Sequence, residues 1–380
     1  MPSIWQEGYG SASARILIPP TMTQEYRINT MQAAQIIEFG KPYKLSNVPI
    51  PELPEEGLLV KVHAAGFCHS DLQVFEGQFA ADLPMIPSHE PAGEIHAVGG
   101  KVGGEWQVGD RVGVLNYKHA CGTCPGCKQT IRRTSKTDPR FCEKRKMAGF
   151  KHDGCFAEYM VADPATTVRL PAAVSFEQGA PLMCAGATAW GALQKLLPMV
   201  KAGDSVAIVG IGGVGHLCLQ FAKAMGFRVV AVDTREAGRT LATEVPSNLE
   251  PDLIVDPTSS SVKQHLHDFT AGEGLAGAVV CTDSHQGTTW TYEQLGIGGV
   301  IVPLGLPREH WQFDSSLMVF KELVIRGSYV ASTNQVQEML ECVGKHKIES
   351  QLTVVSFDDI PGIVDRYLQQ SMKGRLVVRI

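Results

Sequence analysis

Apolar residues recur along the chain in two different rhythms. From Met31 to about Ala180 they fall in short runs, QAAQII (32–37), GLLVKVHAAG (57–66), GEIHAVG (93–99) and RVGVL (111–115), set between Gly, Pro and Asp. Runs of this kind predict short strands in a compact, barrel-like, largely β domain over residues 31–180. From Pro181 to Tyr329 the apolar runs become VAIVG (206–210), VVAVD (229–233), AVVCTD (278–283) and VIVPLG (300–305), with helix-length segments between them. Strands alternating with helices predict a parallel sheet covered on both faces, so 181–329 reads as a doubly wound α/β domain. Residues 330–380 hold a helix-like QVQEMLECVGK (335–345) and a last strand-like run, RLVVRI (375–380). Residues 1–30 carry Gly, Ser, Pro and Thr without a period and predict a flexible extension.

The second rhythm carries the strongest local signature. The run SVAIV leads into Gly210-Ile-Gly212-Gly213-Val214-Gly215, then HLCLQFAKAMG (216–226), then a second apolar run ending at Asp233, 18 residues past the last glycine. A lone GxGxxG means little, but strand, turn, helix, strand and acid together are the context of a dinucleotide fingerprint. Gly210 would allow the tight turn, Gly212 the close approach of backbone to a pyrophosphate, and Gly215 close packing of helix on strand. The helix that follows would point its N-terminus at the anion. Asp233 would accept hydrogen bonds from the adenosine ribose and repel a 2′-phosphate, which favours NAD over NADP. Arg235, two residues on, pulls the other way. The plainer alternative is a glycine-rich turn without a nucleotide.

Composition and charge remove several function classes. A chain of 380 residues with 44% hydrophobic residues suits two or three domains with sizeable cores. The net charge of −5, with Lys and Arg scattered among acids, leaves no general surface for nucleic acid. No apolar run approaches the roughly 20 residues of a membrane-crossing helix, so no membrane partner is expected. Glu7 and Glu25, against Arg15 and Arg27, argue for a cytoplasmic protein over one with a mitochondrial leader. Four of the ten cysteines lie between Cys121 and Cys142, which fits metal ligation better than a disulfide framework.

The first rhythm holds the chemistry. GFCHSDL (66–72) puts a thiol, an imidazole, a hydroxyl and a carboxylate on Cys68, His69, Ser70 and Asp71; PSHEPAG (87–93) adds His89 and Glu90; PLMCAGATAW (181–190) adds Cys184. Singly, a Cys or His has a bland alternative as a packing or turn residue. In this order, beside the glycine motif, they resemble the zinc-dependent alcohol dehydrogenases of the medium-chain dehydrogenase/reductase superfamily. The resemblance implies a GroES-like catalytic domain over 31–180, a Rossmann domain over 181–329, and a tail, 330–380, that rejoins the first domain.

By the same resemblance Cys68, His89 and Cys184 hold a catalytic zinc with one position open. Asp71 and Glu90 stand behind the ligands, a carboxylate accepting the remaining N–H of His89. Ser70 takes the alcohol proton. Many members complete the relay with a His where this chain has Gln73, which cannot titrate, so the proton is expected to leave through water. His69 and Arg375, the latter in MKGRLVV (372–378), correspond to bases that contact the cofactor pyrophosphate. The family's pocket lies around Phe75, Phe79, Asn116 and Leu306. Asn116 stands where small-alcohol enzymes carry a large aromatic, which implies a wider pocket for longer or aromatic substrates.

A second cluster, Cys121, Cys124 and Cys127 followed by Cys142, has zinc-site spacing. It resembles the family's structural-zinc lobe with a longer last interval, and Ser135 stands where the fourth thiolate usually falls. The extra residues predict an outward bulge. It is basic, with Lys128, Arg132, Arg133, Lys136 and Arg140 against Asp138, and reads as a solvated loop or a docking surface. Cys155, Cys218, Cys281 and Cys342 read as packing residues.

The resemblance thus implies reversible hydride transfer between a primary or secondary alcohol and NAD, two zinc ions per chain and a homodimer or homotetramer. Two alternatives are an NADPH-dependent aldehyde or double-bond reductase of the same superfamily and a non-catalytic nucleotide-binding relative.

Overall fold

Along the strand Ser205–Val209 every residue is buried, and alternate side chains enter different layers. Val206 and Ile208 join one apolar cluster, Ala207 and Val209 another. The same alternation runs through Arg228–Val232, where Val229 and Ala231 face the first layer and Val230 and Val232 the second. Strands with two buried faces need helices on both, and each Val or Ile so buried contributes about 1.5–3 kcal/mol relative to exposure.

The structure, a computed structural model, describes residues 30–380 apart from Ala80, Arg308, Gln370 and Ser371. The flexible extension expected over 1–30 lies outside the described residues except for Thr30, which opens the first strand, Thr30–Gln35. The six-stranded sheet is parallel throughout, in the order Leu253–Val255, Arg228–Val232, Ser205–Val209, Leu275–Val280, Leu295–Pro303, Val324–Ile325. The chain leaves Ser205–Val209 to one side and later returns to its other side, so the carboxyl end of this strand is the switch point where α/β sheets bind ligands. The helices Ala187–Leu196, Gly215–Ala224 and Thr333–His346 cover one face. The last of them starts on a Ser332/Gln335 capping box and buries Val336, Met339, Leu340 and Val343, the apolar stripe of the sequence.

A second sheet runs Leu352–Ser356, Arg375–Arg379, Leu58–Phe67, Glu90–Val98, Arg111–Val114, Thr167–Arg169, with Tyr159–Ala162 also on Leu58–Phe67. The C-terminal strand is antiparallel to the end of Leu58–Phe67, with Phe67 opposite Leu376, while Gly66 lies opposite Glu90 on the other side. This register brings Cys68, His89 and Arg375 to one end of the sheet from three distant parts of the chain. The strands approach so closely there that a Cβ on Gly66 would overlap Glu90 Oε2. Among the described residues no helix is long and apolar enough to cross a membrane.

Candidate functional site

The four consecutive polar residues of the opening motif begin a helix, His69–Phe75, whose cap is Cys68. The Ser70 N–H donates to Cys68 Sγ at 3.3 Å, and the Cys68 N–H donates to Asp71 Oδ2 at 2.9 Å. Asp71 is fully buried, and its other oxygen lies 2.9 Å from His89 Nδ1. A carboxylate can only accept, so Nδ1 carries the proton and Nε2 is free as a ligand. That Nε2 lies 3.4 Å from Cys68 Sγ.

Cys184 reaches the same point from an irregular element. The helix Phe176–Pro181 runs into a π-turn, Leu182–Gly186, before regular winding resumes at Ala187. Wide turns of this kind cluster at functional sites. One ligand atom each from Cys68, His89, Glu90 and Cys184 lie within 4.8 Å of one another. A hydrogen bond from Cys184 holds the Cys68 thiol well below its ordinary range against the opposing effect of burial, with His89 adding to the pull. Burial opposes charge on His89, yet Asp71 and Cys68 raise its pKa well above the usual value. Two sulfurs and a nitrogen that converge, Cys68 and His89 buried and Cys184 partly so, are a donor set that fits zinc.

The two carboxylates divide. Asp71 orients His89, whereas Glu90, expected beside it in that role, turns to a buried ion pair with Arg375. Burial pushes the Glu90 carboxyl up to about 7, with Arg375 pulling it down. Arg375 is 285 residues away in sequence, so the pairing follows from strand register alone. A Cβ on Gly213 of the glycine turn would come within 3.0 Å of the Arg375 side chain. One arginine therefore separates the glycine turn from the thiol and imidazole cluster. His69 is exposed; Ser70 and Gln73 are half-buried on the same helix.

Around the cluster Phe79 packs edge-on against Phe150 at 5.2 Å, and Phe150 lies 4.9 Å from the His89 ring. Phe150 was not among the sequence candidates; the signal available was an aromatic in a Gly-rich turn soon after Cys142. Phe75 packs on Tyr43 at 5.5 Å, Asn116 is half-buried, and Leu306 is 80% exposed and encloses nothing here.

The glycine turn has the shape of a dinucleotide cradle. Gly210 has φ of 85°, in the left-handed region, and a Cβ on Gly215 would lie 2.0 Å from the Gly210 carbonyl oxygen. At Gly212 a Cβ would meet only Arg235 Nη2, at 3.8 Å, which leaves that flank open to a ligand. Val214 precedes the helix Gly215–Ala224 and caps it with no side-chain bond. Asp233 is 5% exposed; its Oδ2 accepts the Ile211 N–H at 2.8 Å and its Oδ1 the Arg235 N–H at 2.8 Å. The Arg235 guanidinium also folds onto this carboxylate, at 2.9 Å.

The second cluster is a cage of sulfur. Sγ atoms of Cys121, Cys124, Cys127 and Cys142 lie within 4.8 Å of one another. Amide donors point at them: Cys124 Sγ accepts from the N–H groups of Cys127 and Glu143 at 3.5 and 3.4 Å. Hydrogen bonds from Thr123, then Cys124, lower the Cys121 thiol to about 5. The longer interval is not a loop. Cys124 caps a helix, Pro125–Thr134, which Ser135 ends in the left-handed conformation at φ of 60° before a tight turn delivers Cys142. Lys128, Arg132, Arg133 and Lys136 are exposed on this segment. Arg140 instead pairs with Asp138 and donates to the carbonyls of Tyr329 and Val330 at 3.0 and 3.4 Å. Val330 has a φ of 48°, a strained value for a β-branched residue, and the arginine holds that turn. Cys155 and Cys218 are buried, Cys281 and Cys342 partly so.

Known proteins resemble this chain over most of its length. An alcohol dehydrogenase GroES-like domain model matches residues 54–172, and a zinc-binding dehydrogenase model matches residues 213–345. The chain is 34% identical over 355 residues to an alcohol dehydrogenase of Geobacillus stearothermophilus, covering 92% of this chain and 100% of that one. It is 33% identical over 351 residues to an alcohol dehydrogenase of Rhizobium meliloti, covering 92% and 98%. The crystal structure of the alcohol dehydrogenase from Aeropyrum pernix superposes with a TM-score of 0.79 at 29% identity, covering 92% of this chain and 100% of that one.

Proposed function

The chain belongs to the zinc-type alcohol dehydrogenases of the medium-chain dehydrogenase/reductase superfamily, and from that premise we propose that it catalyses reversible hydride transfer between a primary or secondary alcohol and NAD. As a member it is an oxidoreductase acting on small molecules. The observation that carries the finer reading is that Arg375 lies between Glu90, in the thiol and imidazole cluster, and Gly213 of the glycine turn.

Cys68, His89 and Cys184 would hold the catalytic zinc, and the four-cysteine cage a structural one. When bound, the catalytic zinc supplies Lewis-acid stabilisation of negative charge on the substrate oxygen, and NAD supplies the hydride acceptor. The chain's own residues do the rest. Asp71 keeps the His89 proton on Nδ1, so the Nε2 lone pair stays available to a metal. Ser70, one turn-start beyond Cys68, can accept the alcohol proton and donate its own, because a hydroxyl does both. Arg375 neutralises Glu90, so the site does not accumulate uncompensated negative charge. Asp233 would receive the adenosine ribose once the Arg235 side chain swings away, and its carboxylate disfavours a 2′-phosphate.

Gln73 ends the relay short of a titrating group. Gln73→His is expected to speed alcohol oxidation near pH 7 and shift the pH–rate profile; an unchanged profile would count against Ser70 and Gln73 as the proton route. The edge strand Val324–Ile325, with Val319 and Phe320 exposed at 68% and 83% beside it, supports a homodimer or homotetramer joined along that edge.

The test of the function is a panel of alcohols and aldehydes with NAD(H) and NADP(H) side by side. Turnover is expected with NAD, with benzyl-type alcohols used more efficiently than ethanol because Asn116 leaves the pocket wide. Preference for NADP would transfer the decisive role from Asp233 to Arg235, and preference for ethanol would sink the wide pocket.

A further inference from the structure

His216 is 1% exposed on the first turn of the helix that follows the glycine turn. Its Nδ1 lies 2.8 Å from the Gly212 carbonyl oxygen. A carbonyl only accepts, so Nδ1 carries the proton and Nε2 is an acceptor. Nε2 faces donors alone: the Ser350 hydroxyl at 2.9 Å and the Gln351 N–H at 3.3 Å. Every polar atom of the ring is satisfied in a single tautomer. Burial pushes this imidazole down to about 4, with Gly212 pulling it back up, so the ring is neutral at neutral pH.

The segment it meets is held from two directions. Gln220, four residues along the same helix, grips Glu349 through both its amide atoms, at 2.8 and 3.3 Å. Gln178 grips Ser350 the same way at 3.0 and 2.8 Å. Residue 351 then enters the strand Leu352–Ser356, and the Gln351 carbonyl accepts the Arg375 N–H at 2.8 Å. A continuous hydrogen-bonded line thus runs from the Gly212 carbonyl through His216 and Gln351 to the backbone of Arg375, whose guanidinium holds Glu90.

We propose that His216 is a positioning residue that couples the glycine turn to the strand pair carrying Arg375, one ring nitrogen serving each side. The proposal rests on reading the glycine turn as a dinucleotide seat. The Nδ1 side sets the carbonyl of Gly212, and with it the turn's shape toward a pyrophosphate. The Nε2 side sets the entry of the strand that places Arg375 between that turn and the metal ligands.

The two sides can be separated in the zinc-loaded enzyme. An Asn amide group can stand in for Nδ1 and a Gln amide oxygen for Nε2. His216→Gln is expected to raise KM for NAD, and the dissociation constant for NADH, about tenfold with kcat nearly held, as for one buried hydrogen bond lost. His216→Asn is expected to shift the balance the other way, with kcat down about fivefold and NADH affinity nearer the wild-type value than in His216→Gln. Ser350→Ala, which removes one donor from the strand side, should follow His216→Asn to a smaller degree. A histidine serving packing alone would lower the melting temperature in both His216 variants and move KM and kcat alike in both; that result overturns the proposal, as does a Ser350→Ala enzyme with the wild-type kcat. Should His216→Gln not fold, Ser350→Ala decides. A wild-type enzyme that binds neither NADH nor NADPH would defeat the functional reading itself, whereas normal wild-type binding with identical variants defeats only the coupling.

Discussion

Cys184→Ala is expected to lower kcat by about a thousandfold while leaving the fold intact. Cys184 sits on the π-turn Leu182–Gly186 and is partly exposed; its removal takes away the hydrogen bond that holds the buried Cys68 thiol low, so that thiol moves back toward its neutral form and does not remain as an unpaired charge. His89→Ala is a less clean test, because it would leave the fully buried Asp71 carboxylate without its partner. Losing the Lewis acid forfeits several kcal/mol of transition-state stabilisation, and about 4 kcal/mol corresponds to about a thousandfold. Steady-state kinetics with a thermal melt as control checks it. Activity within tenfold of wild type would mean that Cys184 is not a ligand.

Cys127→Ser should act on stability and leave the chemistry in place. Cys127 is fully buried in the sulfur cage; its N–H caps the helix Pro125–Thr134 through Cys124 Sγ, and the Glu143 N–H points at the same sulfur. Losing the structural ion is expected to cost about 3 kcal/mol or more, a fall of roughly 6 °C in melting temperature. The effect should reach beyond the lobe, because Arg140 carries it to the strained turn at Val330. Below the melt, kcat is expected within about threefold of wild type, since no atom of the cage belongs to the catalytic cluster. A melt unchanged in this variant would mean that the cage holds no metal.

Much of this was legible in the chain because period and spacing are local properties. The two rhythms predicted a β unit and a parallel-sheet unit, and both are present. The thiol and imidazole candidates stood in short motifs, and the resemblance those motifs carry singled them out without a fold. What was hidden depends on register or on residues that look ordinary alone. Glu90 and Arg375 become partners only when Gly66 faces Glu90 and Phe67 faces Leu376 across two strand pairings. His216 and Gln220 read as positions on an apolar helix, and nothing local shows that they face 349–351. The extra residues between Cys127 and Cys142 predicted a loop because they are polar and basic. They form a helix because Cys124 caps it, Pro125 suits its first turn, and Ser135 closes it.

Two zinc sites of different purpose on one chain would show most plainly in the zinc content per chain of the purified protein and its variants. Two equivalents are expected in the wild type and one in each of Cys184→Ala and Cys127→Ser, with turnover lost only in the former. A wild-type chain that turns over alcohol with no zinc, or a Cys184→Ala chain that retains both equivalents, would contradict the account.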